Sequence, residues 1–259
     1  MSLADFLKWY LFAFCISWIN LPLTFRLFKA LPSRGYALSR PLGLLLWGYL
    51  FWLLTSLKLL NNDLAGQLSA LLLLVGLNAA FLGRGGLKNL AGWLRGNRKL
   101  VLCVEGLFLV GFALWAYVRA ANPAILGTEK PMEMAFINAI LKSPTFPPND
   151  PWLSGYGISY YYFGYVLAAM LIRVSASAAA VGYNLTAAMW FALTAIGAYG
   201  LLFDLLAARE KNNQPKNGWI YAVSLLAPAL LLIVSNWHGF LDVLHARGLF
   251  YTTAADGTL

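Results

Sequence analysis

The sequence predicts an all-helical protein that crosses a membrane several times. Hydrophobic residues make up 60% of the 259 residues and charged residues only 11%, and the mean hydropathy is +0.66. A soluble domain carries about 25% charged residues, so much of this surface must face lipid. Long apolar runs such as LSALLLLVGL, residues 68–77, favour helices over barrel strands, which alternate in polarity from one residue to the next.

Six stretches are long and apolar enough to cross the hydrocarbon core, which takes roughly 20 residues of helix. In chain order they are Phe6–Phe25, Leu42–Leu60, Leu64–Gly83, Leu100–Ala120, Ala178–Ala207 and Trp219–Asn236. A seventh stretch, Tyr160–Arg173, is too short for a full span and predicts a re-entrant or juxtamembrane helix.

Basic residues predict the orientation of these spans, because cytoplasmic loops are enriched in Lys and Arg. The first such loop holds Arg26, Lys29, Arg34 and Arg40, the second Arg84, Lys88, Arg95, Arg98 and Lys99, and the third Arg209, Lys211 and Lys216. All three fall on one side if Tyr160–Arg173 dips into the membrane and returns. We therefore expect a multi-pass plasma-membrane protein whose net charge of +9 reflects topology, with membrane lipids and no nucleic acid as partners.

The outer loop that follows the fourth span, residues 121–159, carries most of the candidate chemistry. Its acids are Glu129, Glu133 and Asp150. Apolar residues at helical spacing predict a helix over Met132–Leu141, with Pro131 in its first turn. The proline-rich run PTFPPNDP then ends this helix, and a tyrosine run begins at Tyr160.

Carboxylates at a membrane surface could act as a general base towards a hydroxyl group, or hold a divalent cation against a lipid pyrophosphate. Tyrosine rings and hydroxyls could line a pocket for a sugar or a lipid headgroup. The alternative interpretation is structural, since tyrosine and tryptophan are common at membrane interfaces whatever the function.

Two segments resemble a known family. GTEKPMEMAFINAILKSPTFPPNDPW with YYYFGY, and the upstream GYALSRPLGLLLWGYLFWLL, resemble the uncharacterised "YYY-domain" membrane proteins of archaea and Chloroflexi-type bacteria. This resemblance covers most of the chain and implies relatives without implying an activity.

The layout also resembles the GT-C-type membrane glycosyltransferases, which use a polyprenyl-phosphate-linked sugar. That resemblance makes residues 100–259 the GT-C-like portion of a single transmembrane domain, with residues 1–99 as an amino-terminal extension of three spans. It implies Glu129 as the catalytic base, supported by Asp150 and Glu133, although Lys130 stands where a second acid is usual. The substrate-binding residues would be Lys130, Tyr160, Tyr161, Tyr162 and Arg173. These enzymes have more spans, so the chain is also compatible with the amino-terminal part of a longer protein.

Two other functions stay open. A transporter or channel component would need polar residues deep in several spans, and a membrane scaffold would tolerate changes to the loop acids. Glu105 lies near the cytoplasmic end of a span, where it could reach water or pair with a basic loop residue, and Asp204 is expected at the membrane interface.

Overall fold

The structure is a computed structural model that describes residues 1–83, 85–210 and 218–249. Within these ranges the chain is helical, and its only strand-like pairing is an isolated bridge between Asn149 and Gly157. The helices are α1 (Leu3–Leu27), α2 (Ser39–Ser56), α3 (Leu64–Leu82), α4 (Gly86–Gly96), α5 (Arg98–Ala121), α6 (Lys130–Lys142), α7 (Phe163–Ser175), α8 (Ala179–Ala208), α9 (Trp219–Val223), α10 (Leu226–Leu232) and α11 (Trp237–Ala246). The basic residues Arg84, Lys211 and Lys216 lie outside the described residues.

Five helices are long and apolar enough to cross a membrane, and they confirm five of the six predicted spans. They are α1, α2 with the short 3-10 turn that precedes it, α3, α5 and α8. The bundle is built on α8 packed along α5, and on α1 packed against α2 and α3. Large side chains fill the interior, among them Trp47, Phe51, Phe108 and Phe112, all without measurable exposure.

The sixth predicted span, Trp219–Asn236, is not one continuous helix. It forms α9 and α10, and the axis then bends by 69° into α11. Pro228 explains the first break, because a proline ring clashes with the carbonyl four residues earlier, here that of Ser224 between α9 and α10. These helices are together apolar enough to form one broken span or a re-entrant loop.

Helix α7 begins and ends at the same end of the bundle. Just before it, the Tyr162 hydroxyl accepts a hydrogen bond at 3.1 Å from the indole N–H of Trp52, near the end of α2. Just after it, the Ser177 hydroxyl accepts one at 3.1 Å from the indole N–H of Trp9, near the start of α1. The short helix that follows the tyrosine run therefore does not cross the bundle, as the sequence predicts. We call the end of the bundle that holds both termini of α7 the α6 end.

The opposite end, which we call the basic end, carries the described basic residues of all three loops apart from Arg40, which is buried on α2. Between α3 and α5, where the sequence indicates only a loop, the chain forms the amphipathic helix α4, whose Trp93 ring meets the Phe25 ring of α1 edge-on at 4.7 Å. Asp204 is also different from its prediction, since it is buried rather than at the interface. Its carboxylate accepts hydrogen bonds at 2.7 Å from both the backbone N–H and the hydroxyl of Ser33, which anchors the first basic loop to α8.

Buried amide side chains join α1, α2 and α3. Pro22 lies inside α1, and next to it the backbone N–H of Leu23 donates to the Oδ1 of Asn78 on α3 at 3.0 Å. Asn20 continues the network by donating to the carbonyl of Ser39 at 3.3 Å. A proline is tolerated inside a membrane helix when neighbouring helices satisfy the backbone around it, and Asn78 does so here.

A charged pair joins α2 to α5 in the interior. Arg40 is almost fully buried and forms an ion pair with Glu105, which lies about two turns into α5. The hydroxyl of Tyr36 donates to the second oxygen of that carboxylate at 2.9 Å. The guanidinium also lies 4.1 Å from the centre of the Phe108 ring. Of the two possibilities for Glu105, the structure shows pairing with a base, although Arg40 lies in the first turn of α2 and not in a loop.

We expect Glu105→Leu to lower the free energy of unfolding by about 3 kcal/mol, because it leaves the Arg40 charge buried without a partner. Denaturant titration of the purified protein in detergent measures this change. The double variant Arg40→Met with Glu105→Leu is the control and should recover most of the loss, since an apolar pair replaces an ion pair at little cost. A double variant no more stable than Glu105→Leu would contradict this account of the pair.

Candidate active site at the α6 end

Helix α6 presents two of the predicted acids at its start. Glu129 precedes its first residue and Glu133 lies in its first turn, with a proline at the amino-terminal positions. Acids are favoured there because the amino-terminal end of a helix carries a partial positive charge. Glu129 is exposed and, among the described residues, its carboxylate makes no hydrogen bond or ion pair, so it is open to a ligand.

Glu133 is held from α8. The hydroxyl of Tyr183, near the start of α8, donates a short hydrogen bond to the Glu133 carboxylate. The neighbouring Asn184 accepts a hydrogen bond at 2.7 Å from Arg119 at the end of α5. Three helices therefore meet at the acids, and neither Tyr183 nor Arg119 is recognisable from the sequence as part of the site. Both residues lie outside the run of acids and tyrosines in the sequence, and they reach the site only because of how α5 and α8 pack.

The far end of α6 is fixed by Asn62 and Arg173. The Asn62 amide donates to the carbonyls of Ile140 and Ser143 at 2.6 and 2.7 Å. Arg173, at the end of α7, donates to the Asn62 side chain at 3.0 Å and to the carbonyl of Leu141 at 3.2 Å. Arg173 therefore lies away from the tyrosine run, and contact between its guanidinium and a lipid phosphate stays a prediction.

One buried ring joins the loop to α6 and α7. Phe136 of α6 lies with its ring centre 5.5 Å from that of Trp152, 5.8 Å from that of Tyr160 and 5.6 Å from that of Tyr165. The loop and the tyrosine run are thus packed against the same face of α6 that begins with the acids. Tyr165, which the sequence analysis also did not identify, lies within electrostatic reach of both Glu129 and Glu133.

The tyrosine run divides into two parts. The hydroxyl of Tyr160 donates to that of Tyr161 at 2.9 Å, and their ring centres are 4.0 Å apart. Tyr162 is instead turned towards Trp52. With Tyr49, Trp52 and Phe163, the three tyrosines line an open aromatic depression of about 380 Å³, a size that suits a small ligand or part of a lipid.

The tyrosine hydroxyls near the acids stay protonated at physiological pH. The hydrogen bond to Tyr161 raises the pKa of Tyr160 to about 12. Burial, and then the charge of Glu133, raise the pKa of Tyr165 to about 12. These hydroxyls are therefore neutral and cannot serve as bases, which leaves the carboxylates for that role.

Asp150 has a local structural role. Its Oδ1 accepts hydrogen bonds from the backbone N–H groups of Trp152 and Leu153 at 2.8 and 2.9 Å, and its own N–H donates to the carbonyl of Tyr156 at 2.8 Å. An aspartate that accepts hydrogen bonds from backbone N–H groups two and three residues later stabilises a turn of the loop. The described contacts of Asp150 are confined to this turn, whereas Glu129, Glu133, Tyr160 and Tyr161 lie together.

Lys130 is the first residue of α6, next to Glu129 in the chain, and is partly exposed. Its predicted contact with a substrate stays a prediction. Among the described residues, no group of three or more His, Cys, Asp and Glu side chains is arranged to hold a metal ion. The carboxylates that could share a divalent cation are Glu129 and Glu133, one helical turn apart.

Comparison with known families agrees with the membrane architecture. A family model for uncharacterized membrane proteins, DUF2298, matches residues 46–254. The chain belongs to this family. The DUF2298 match includes the whole α6 end apart from the start of α1, with both acids and the tyrosine run. No curated protein matched the chain, and no solved structure matched it.

We expect the hydrogen bond between the two tyrosines to be visible in the alkaline titration of the protein. Subtracting the tyrosinate absorbance of Tyr160→Phe from that of the wild type isolates the ionisation of Tyr160, which should have its midpoint near pH 12. Tyr161→Phe should move the Tyr160 transition down towards the ordinary value of about 10, because it removes the leading cause of the shift. An unchanged transition in Tyr161→Phe would contradict the pairing.

Proposed function

We propose that the protein is a membrane glycosyltransferase-like enzyme that uses a polyprenyl-phosphate-linked sugar donor at the α6 end. The observation that carries the proposal is the exposed carboxylate of Glu129, which has no partner among the described residues and lies within electrostatic reach of the neutral hydroxyls of Tyr160 and Tyr165. A general base needs a carboxylate within reach of its substrate, and hydroxyl donors beside it can orient a sugar or a phosphate.

The proposal gives each residue a role that fits its surroundings. Glu129 accepts the proton of the acceptor hydroxyl as that oxygen attacks the anomeric carbon of the sugar, and the lipid phosphate leaves. Glu133, fixed by Tyr183, orients the start of α6. Tyr160 and Tyr161 contact the sugar.

The remaining predicted residues contribute around this centre. Asp150 supports the site by shaping the loop that carries Trp152 against α6. Tyr162 lines the aromatic depression, which suits the first isoprene units of the lipid because it lies at the end of the membrane helices. Lys130 is the cation nearest to Glu129 along the chain and would contact the phosphate, and Arg173 holds α6 in place while remaining a candidate for a second phosphate contact.

Transport is a second candidate, favoured by one observation in the bundle interior. Gln67 of α3 is fully buried, and its side-chain amide makes no hydrogen bond among the described residues. An unsatisfied buried amide is costly, and a polar solute passing between helices would satisfy it. Gln67→Leu should abolish uptake into proteoliposomes if the protein is a transporter, and should leave sugar transfer intact if it is an enzyme.

We expect Glu129→Gln to lower the rate of sugar transfer by at least about 100-fold, the usual contribution of a general base. The assay follows transfer from a panel of polyprenyl-phosphate monosaccharides, using protein purified with its native lipids. Glu210→Gln is the matched control, since it makes the same change at the basic end and should keep full activity. Tyr183→Phe should give an intermediate loss because it frees Glu133.

Full activity of Glu129→Gln at normal expression and stability would refute the assigned role. The recovery of no polyprenyl-phosphate sugar by mass spectrometry of the co-purified lipids, together with no transfer by the wild type, would refute the proposed class of enzyme.

A further inference from the structure

The basic end contains a pocket lined by three cations that have no charged partner among the described residues. Arg26, Lys29 and Arg34 line a cavity of about 550 Å³ between the end of α1, the first basic loop and the start of α4. No acid lines it. Among the described residues, none of these three side chains makes an ion pair or a hydrogen bond, and Arg26 lies only against the ring of Phe81. The pocket is therefore ready to receive an anion.

An apolar groove continues from this pocket along the outside of the bundle. It has a volume of about 480 Å³ and runs between α1, α3 and α4. Ile19, Val75 and Ala91 are among its lining residues, and Pro22 and Leu82 line both the groove and the pocket. The groove lies on the outer surface of the membrane helices, so its exposed apolar walls face the lipid bilayer. A charged cavity joined to an apolar channel matches a molecule with an anionic head and a hydrocarbon tail.

The loop that carries Arg34 is held in position. Arg34 itself has a left-handed backbone with φ of 49°, and Gly35 follows at 70°. A side chain at position 35 would collide with Phe28, since an added Cβ would lie 2.5 Å from that ring. The hydrogen bonds from Ser33 to the buried Asp204 keep the turn closed. A left-handed backbone at a residue other than glycine is disfavoured and persists only where its surroundings fix it, so Arg34 is presented in a defined place.

Helix α4 completes the site. Its apolar residues recur at helical spacing, so that Leu87, Leu90 and Leu94 line the groove. Its polar face carries Lys88 and Arg95, which do not line the pocket. A short amphipathic helix with this pattern lies in the membrane interface, at the depth where a lipid headgroup meets its acyl chains.

We propose that this pocket and groove bind an anionic membrane phospholipid. The headgroup phosphate lies among Arg26, Lys29 and Arg34, and one acyl chain lies along the groove under α4. Basic pockets between membrane helices recognise anionic headgroups through such charges. The site is separate from the acids and tyrosines at the α6 end, and the proposal does not depend on sugar transfer.

The test is native mass spectrometry of the purified full chain, with phosphatidylglycerol and phosphatidylcholine added in turn. The wild type should retain phosphatidylglycerol in preference to phosphatidylcholine. The double variant Arg26→Gln with Lys29→Gln should bind phosphatidylglycerol about 25-fold more weakly, because each cation near an anionic lipid contributes about fivefold. The matched control is Arg98→Gln with Lys99→Gln, which removes the same two charges at the same end but outside the pocket. It should change binding by less than about twofold.

A second variant tests the groove without altering charge. Ala91→Trp fills the channel beneath α4 and should also release phosphatidylglycerol, while thermal unfolding of the protein stays that of the wild type. An equal loss in the double variant and its control would show general attraction to the basic end and overturn the site. Displacement of the lipid by inorganic phosphate alone would overturn it too, since that outcome identifies a soluble anion as the ligand.

Discussion

Most polar groups inside this bundle find their partners within the protein, because lipid offers none, and this constraint decides how the helices are joined. Arg40 and Glu105 neutralise each other between α2 and α5. Asn78 satisfies the backbone of α1 beside Pro22. Each contact is local, but each also fixes one helix against the next, so the polar residues determine the arrangement that the apolar residues then fill.

The same constraint shapes both ends of the bundle. At the α6 end, Asn62 and Arg173 satisfy the last carbonyls of α6 and so hold that helix across the ends of α3 and α7. With α6 held, its first turn brings Glu133 to Tyr183 and leaves Glu129 free. At the basic end, Asp204 closes the turn that presents Arg34. In both places a buried polar anchor lies next to a charge that has no partner among the described residues, and those charges mark the two candidate binding sites.

The sequence predicts the spans well because uninterrupted apolar runs have one stable solution in a membrane. The prediction from sequence is wrong for α4, where basic and apolar residues are interspersed. In α4, Leu87, Leu90 and Leu94 recur at helical spacing between basic residues, and the basic residues alone indicate a loop. The continuous helix predicted over the last apolar stretch overlooks Pro228, whose ring breaks the helix at Ser224.

The candidate site is predicted only in part, for a different physical reason. Acids and tyrosines of one loop are close in sequence, so their proximity could be expected. Tyr183 reaches Glu133 only because α6 packs on α8, and no local pattern contains that information. The spacing of Asp150 likewise does not show that its carboxylate is used by two backbone N–H groups of its own turn.

Because α7 begins and ends at the α6 end, the acids and tyrosines should lie on one side of the membrane and the basic pocket on the other. Cysteine labelling in intact cells tests this arrangement most directly, in a background where Cys15 and Cys103 are replaced by alanine. With a membrane-impermeant maleimide, Ser154→Cys and Ala178→Cys should both react, and Gly96→Cys should react only after lysis. If Ala178→Cys, like Gly96→Cys, reacted only after lysis while Ser154→Cys reacted in intact cells, α7 would cross the membrane and the account would be contradicted.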